Sequence, residues 1–82
     1  MRLLFFWGSW CPVCKQMETM LDMVELPVMV TRINVDRNPL MAMQHQVMGT
    51  PTFCLVDDTK EIRRVVGAVS SKQLKQFVRG GT

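Results

Sequence analysis

The chain has 82 residues, 48% apolar and 21% charged, with a net charge of +3; this composition excludes disorder and points to one packed domain over residues 1–82. No apolar run approaches the roughly 20 residues that a membrane span needs. The basic excess is local, with Lys60, Arg63, Arg64, Lys72, Lys75 and Arg79 facing only Glu61, and it reads as a solvated face rather than a nucleic-acid surface.

Arg2 to Trp7 is a continuous apolar run of strand length, suited to a strand covered on both faces. Arg2 and the run after it resemble a signal peptide only faintly, because the run is short and no small-residue cleavage site follows; a cytoplasmic protein is expected. Gly8 and Ser9 break the strand. Pro12 to about Val24 then reads as a helix, with proline at the position where its missing N–H is harmless. Cys14, Met17, Leu21 and Val24 share its inner face. Leu26-Pro27 ends it.

Val28 to Val35 is β-branched and strand-like. Asn38-Pro39 has the form of a cap and first turn, opening a short helix whose apolar side is Leu40, Met43 and Val47 and which Gly49 ends. Thr52 to Val56 and Ile62 to Gly67 are strands joined by a turn at Asp57 to Lys60, a hairpin in which Arg63 and Arg64 would blunt an exposed edge. Ser70 and Gln73 form a capping-box pair for a last helix that buries Leu74, Phe77 and Val78; the tail, Gly80 to Thr82, is expected to fray. The order is β-α-β-α-β-β-α, an α/β fold. It should form a mixed four-stranded sheet with a right-handed first crossover and three helices over both faces.

Cys11 stands where the first strand gives way to a helix. Unpaired N–H groups and the positive dipole end there favour a thiolate, and Lys15 adds positive charge one turn on; the Cys11 pKa should lie below the usual value of about 8.5. Two intervening residues let Cys14 close a disulfide across the first turn. The exposed Cys11 would attack a substrate disulfide, and the deeper Cys14 would resolve the mixed disulfide. Neither Pro12 nor Val13 offers the thiolate a donor, which favours a reductant.

Metal readings fit these residues less well. Cys11, Cys14, His45 and Cys54 make four zinc ligands on paper, but Cys54 falls in an apolar strand as a small hydrophobe and His45 reads as solvent-facing. Met17, Met20 and Met23 share part of a helix and raise copper, though core filling explains them better. No metal and no cofactor beyond the Cys11–Cys14 disulfide is expected. Trp7 reads as core, Trp10 as substrate contact.

The stretch FFWGSWCPVCK resembles the active-site strand and turn of the thioredoxin family, and the resemblance continues through INVDRNP, MGTPT and VGAVSSKQLKQFV. It implies a thioredoxin-like fold and a protein-disulfide reductase. It also implies a cis Thr50–Pro51 bond beside Cys11, and a substrate groove lined by Trp10, Gly49, Thr50 and Pro51, with Gly67, Ala68 and Met48 flanking. Three departures stand out. The chain starts directly at the active-site strand, whereas thioredoxins begin with an extra strand and helix. Phe5 occupies the place of a buried aspartate, which leaves Glu18 as a remote candidate for its proton-relay role. The dipeptide Pro-Val replaces Gly-Pro. The expected partners are disulfide-bonded proteins, with ribonucleotide reductase a client by analogy, and a thioredoxin-reductase-type enzyme or glutathione for regeneration. The alternatives are a disulfide-forming or isomerising protein, or a non-catalytic docking subunit; a monomer is expected in each case.

Overall fold

The computed structural model describes residues 1–80. Seven elements follow in order: β1 (Arg2–Trp7), α1 (Pro12–Met23), β2 (Met29–Asn34), α2 (Pro39–Gln44), β3 (Thr52–Asp57), β4 (Lys60–Val66) and α3 (Ser71–Arg79). They are the elements and the order expected. The sheet runs β2-β1-β3-β4, with β1 parallel to β2 and the other two pairings antiparallel. The two most apolar strands, β1 and β3, therefore hold the centre, where both faces are covered.

Strand alternation sorts their side chains into two cores. Leu3, Phe5 and Phe53 point to one face and pack with Cys14, Met17 and Leu21 of α1 and Leu74 and Val78 of α3. Leu4, Phe6, Cys54 and Val56 point to the other and pack with Ile33, Met41 and Val47. Phe5 stacks on Phe53 with ring centroids 5.0 Å apart, so the position expected to lack a carboxylate is filled by a sealed aromatic pair.

Several local expectations need correction. The buried side of α2 is Met41 with Val47 beyond the helix, while Leu40 and Met43 are each 71% exposed. The helix ends at Gln44, ahead of Gly49, and Gln46 takes a left-handed φ of 54°. Asn38 stands at its N-cap without capping it, since its amide donates back to the Asn34 carbonyl. Arg64 lies on the edge strand β4, as expected, but its side chain reaches over the sheet to the carbonyls of His45 and Gln46. His45 is half-buried, its ring tilted against Phe6, and is not a solvent-facing side chain. The Ser70–Gln73 capping box forms in full, and Gly80, expected to fray, closes α3 at a φ of 80°. Phe77 is only partly buried. The rest of the tail, Gly81 and Thr82, lies outside the described residues.

Candidate active site

Cys11 is the N-cap of α1, in extended backbone at φ −105°, with Pro12 at the first helical position. Its sulfur accepts the N–H of Cys14 at 3.2 Å, one of the donors a helix leaves unpaired at its start. The side chain expected to attack a substrate disulfide thus also caps the helix. The two cysteines are disulfide-bonded, with Cα atoms 5.2 Å apart. Cys14 has no solvent exposure and sits among Phe5, Phe53 and Leu74. Cys11 keeps 5% of its surface exposed. It is the more reachable of the two, but less open than its loop position implied, because the segment before β3 covers it.

That segment is Gly49-Thr50-Pro51. The Thr50–Pro51 bond is cis, and the Thr50 carbonyl oxygen lies 3.7 Å from the Cys11 sulfur. Two bonds fix the loop to the sheet. The Thr52 hydroxyl donates to the Gly49 carbonyl at 2.5 Å, and the N–H of Gly67 donates to the Pro51 carbonyl at 2.9 Å. Gly67 takes a φ of 98°, open to glycine and rarely to other residues. The Thr50 hydroxyl is buried without a hydrogen-bond partner.

Trp10 is 65% exposed beside this junction. Its indole lies over Gly8, so closely that a Cβ there would fall 2.8 Å from the ring, and its Nε1 donates to Asp36 at 3.1 Å. Asp36, brought to the junction by this bond, is a residue that sequence reasoning passed over; its only signal was membership of the INVDRNP stretch. Trp7 packs against the core as expected. Val13, Met48 and Val66 are also exposed apolar side chains, Met48 at 95%. Lys15 is exposed on α1, and with Glu18, Trp7, Gly8 and Ser9 it lines a hollow beside the site.

The metal alternatives dissolve in the same geometry. Cys54 and His45 pack on one face of the sheet and the disulfide on the other. Met17 is buried and receives the Val69 N–H, while Met23 is 83% exposed, so the methionines of α1 do not converge. Among the described residues, no group of three or more His, Cys, Asp or Glu side chains could hold a metal ion.

A disulfide at a strand-to-helix junction, facing a cis-proline loop, invites comparison with known proteins. The thioredoxin family model matches residues 1–80. The chain belongs to the thioredoxin family. A thioredoxin of Buchnera aphidicola (subspecies Baizongia pistaciae) is 35% identical over 80 residues, a match covering 93% of this chain and 73% of that protein. The solved structure of a mutant thioredoxin from Halobacterium salinarum superposes with a TM-score of 0.90 at 29% identity, covering 99% of this chain and 74% of the other. A Mycobacterium leprae protein described as a bifunctional thioredoxin reductase/thioredoxin is 34% identical over 70 residues, which cover 15% of it. With its two sulfurs joined across the first turn of α1, this member of the family is a thiol–disulfide oxidoreductase of the disulfide-reductase class. The family acts on disulfide-bonded proteins and is served by a thioredoxin reductase. No helix among the described residues is long and apolar enough to cross a membrane.

Proposed function

We propose that this chain is a cytoplasmic dithiol reductant of protein disulfides in which Cys11 attacks and Cys14 resolves. The observation that carries the assignment is the difference between the two sulfurs: Cys11 caps a helix and retains surface, whereas Cys14 is sealed in the core. In the reduced protein, the Cys14 N–H and the N-terminal end of α1 favour the Cys11 thiolate. That thiolate attacks one sulfur of the substrate disulfide, and the substrate's other sulfur leaves as a thiolate that takes up a proton. Cys14, deprotonated, then attacks the Cys11 sulfur and expels the substrate's remaining thiolate. Two electrons have passed to the substrate, and the chain is left in the disulfide form described above.

The groove for that substrate is Trp10, Gly49, Thr50 and Pro51, flanked by Met48, Gly67 and Ala68. The apolar exposure of Trp10 and Met48 supports contact with an extended peptide there. Pro12 shapes the first turn, and Lys15 adds positive charge near it. Phe5 leaves no carboxylate beneath Cys14, so the resolving proton leaves by another route. One domain over residues 1–82, acting as a monomer, suffices for this cycle. A thioredoxin-reductase-type enzyme or glutathione would regenerate the dithiol; the fused reductase in the Mycobacterium leprae relative supports the first. Ribonucleotide reductase is a fitting client.

Two measurements test the reading. Cys14→Ser should trap a mixed disulfide with a protein substrate through Cys11, and Cys11→Ser should trap none; equal trapping would reverse or erase the roles. Redox titration should place the pair at about −270 mV, whereas a value of about −120 mV would make it an oxidant.

A further inference from the structure

We infer that Arg64, on the sheet face opposite the disulfide, is a positioning residue for the substrate-pairing loop. It acts by clamping the end of α2 from which that loop departs. The inference rests on the role proposed above for Gly49-Thr50-Pro51.

The carbonyls of Met41, Ala42 and Met43 in the last turn of α2 accept backbone N–H groups of His45, Val47 and Gln46, but those of the C-cap His45 and of Gln46 lie past the helix ladder, and the last turn has no basic side chain of its own. Arg64, on β4, supplies donors to both. Its Nη1 donates to the Gln46 carbonyl at 3.1 Å and its Nη2 to the His45 carbonyl. The positive guanidinium also complements the negative end of the helix. Glu61 locks the fork from the other side, accepting from Nε at 3.0 Å and from Nη2 at 2.6 Å. All three guanidinium nitrogens are thereby engaged, a geometry open to the planar fork and closed to a lysine ammonium.

What the clamp holds is a bend. Gln46 sits at a φ of 54°, an uncommon conformation for a residue other than glycine. Beyond it, Val47 packs into the core beside Phe6 and Cys54 and gives its N–H to the Ala42 carbonyl. Gly49 is two residues further on. The loop is pinned downstream by Thr52 and Gly67. Upstream it is held by the packing of Val47 and by the side-chain hydrogen bonds of Arg64. Loosening that end lets the Thr50 carbonyl drift from Cys11 while leaving both sulfurs, Pro12 and α1 untouched.

The test uses the full chain as Arg64→Met and Arg64→Lys, with insulin as a protein disulfide and a small aromatic disulfide that needs no groove. Arg64→Met should raise the KM for insulin about tenfold, the size of one lost charge-assisted hydrogen bond, with kcat and the small-disulfide rate unchanged. Gly67 N–H, which reports on Pro51, should exchange about tenfold faster by the same reckoning. Arg64→Lys should fall between wild type and Arg64→Met. If Arg64→Met fails to fold, Glu61→Gln carries the test, with a smaller shift of the same sign. An unchanged insulin KM, an equal loss on both disulfides, or unchanged Gly67 exchange overturns the inference. If the wild type reduces no insulin at all, the reading of the groove fails, and Gly67 exchange alone decides whether the clamp exists.

Discussion

Cys14 and Cys54 are both wholly shielded from solvent, one on each face of the same sheet, and they are chemically unlike. Cys14 lies in the first turn of α1, bonded to a second sulfur that has helix N–H groups at hand. Cys54 lies mid-strand, with no second sulfur bonded to it and no helix start behind it. Burial, tempered by Arg64 and reinforced by the neighbouring Glu61 carboxylate, pushes its thiol up to about 11. Depth does not separate the two cysteines; the backbone around each does. The faces differ in the same way. The disulfide face is closed by two longer helices and is almost entirely apolar. The other face carries a helix of six residues tied down by the ionic clamp of Arg64 and Glu61.

The contrast can be broken most forcefully through packing. Phe53 has no exposed surface and stacks on Phe5 beside Cys14, so Phe53→Ala should cost about 3–5 kcal/mol in denaturant unfolding. It should also speed alkylation of Cys14 in the reduced protein. Ile33→Ala, on the other face, should lower stability while leaving Cys14 alkylation as it was. An increase in both variants would mean that the two cores are not separate.

A smaller effect sharpens the contrast at Cys54. Its folded-state pKa lies above the ordinary thiol value, so the folded protein holds the Cys54 proton where the unfolded chain releases it. Stability from this group is complete at neutral pH and drains away as pH climbs from about 9 to about 11. The loss should be on the order of 2 kcal/mol. Comparing the pH dependence of melting for wild type and Cys54→Ala between those limits isolates it. Parallel curves would show that the thiol titrates normally. The Glu61 carboxyl, held low chiefly by its hydrogen bond to Arg64, works in the opposite window: its contribution is present above the ordinary carboxylate range and fades as pH falls through its depressed value.

Elements with strong local signals were legible in the chain. The run at Leu3 to Phe6, the Cys11-Pro12 junction and the Ser70–Gln73 box each carry their own explanation within a few residues. Residues whose roles come from elsewhere in the fold were not. Arg64 meets partners 18 and 19 positions away, and Trp10 meets Asp36 at 26. No periodicity records such contacts. The phase of α2 failed for a different reason: six residues make fewer than two turns, too few for spacing alone to tell Met41 from Leu40. The place of Cys11 at the start of α1 was legible, but its limited exposure depends on a loop 39 positions on, at Thr50.

The smallest of the effects tests whether local capping matters equally on both faces. Ser70 accepts the Gln73 N–H at 3.1 Å, and the Gln73 side chain accepts the Ser70 N–H at 2.8 Å. Ser70→Ala therefore strands a helix donor, and should lower unfolding stability by about 1 kcal/mol. Because α3 delivers Leu74 and Val78 to the disulfide face, that loss is transmitted through packing, and the Cys11–Cys14 potential should stay where it is. Asn38, the matching position at α2, makes no side-chain cap bond, so Asn38→Ala forfeits only its tie to the Asn34 carbonyl. It should fall short of the Ser70→Ala loss in the same melts. A larger loss at Asn38 would mean that the start of α2, and not the Arg64 clamp at its end, carries that helix.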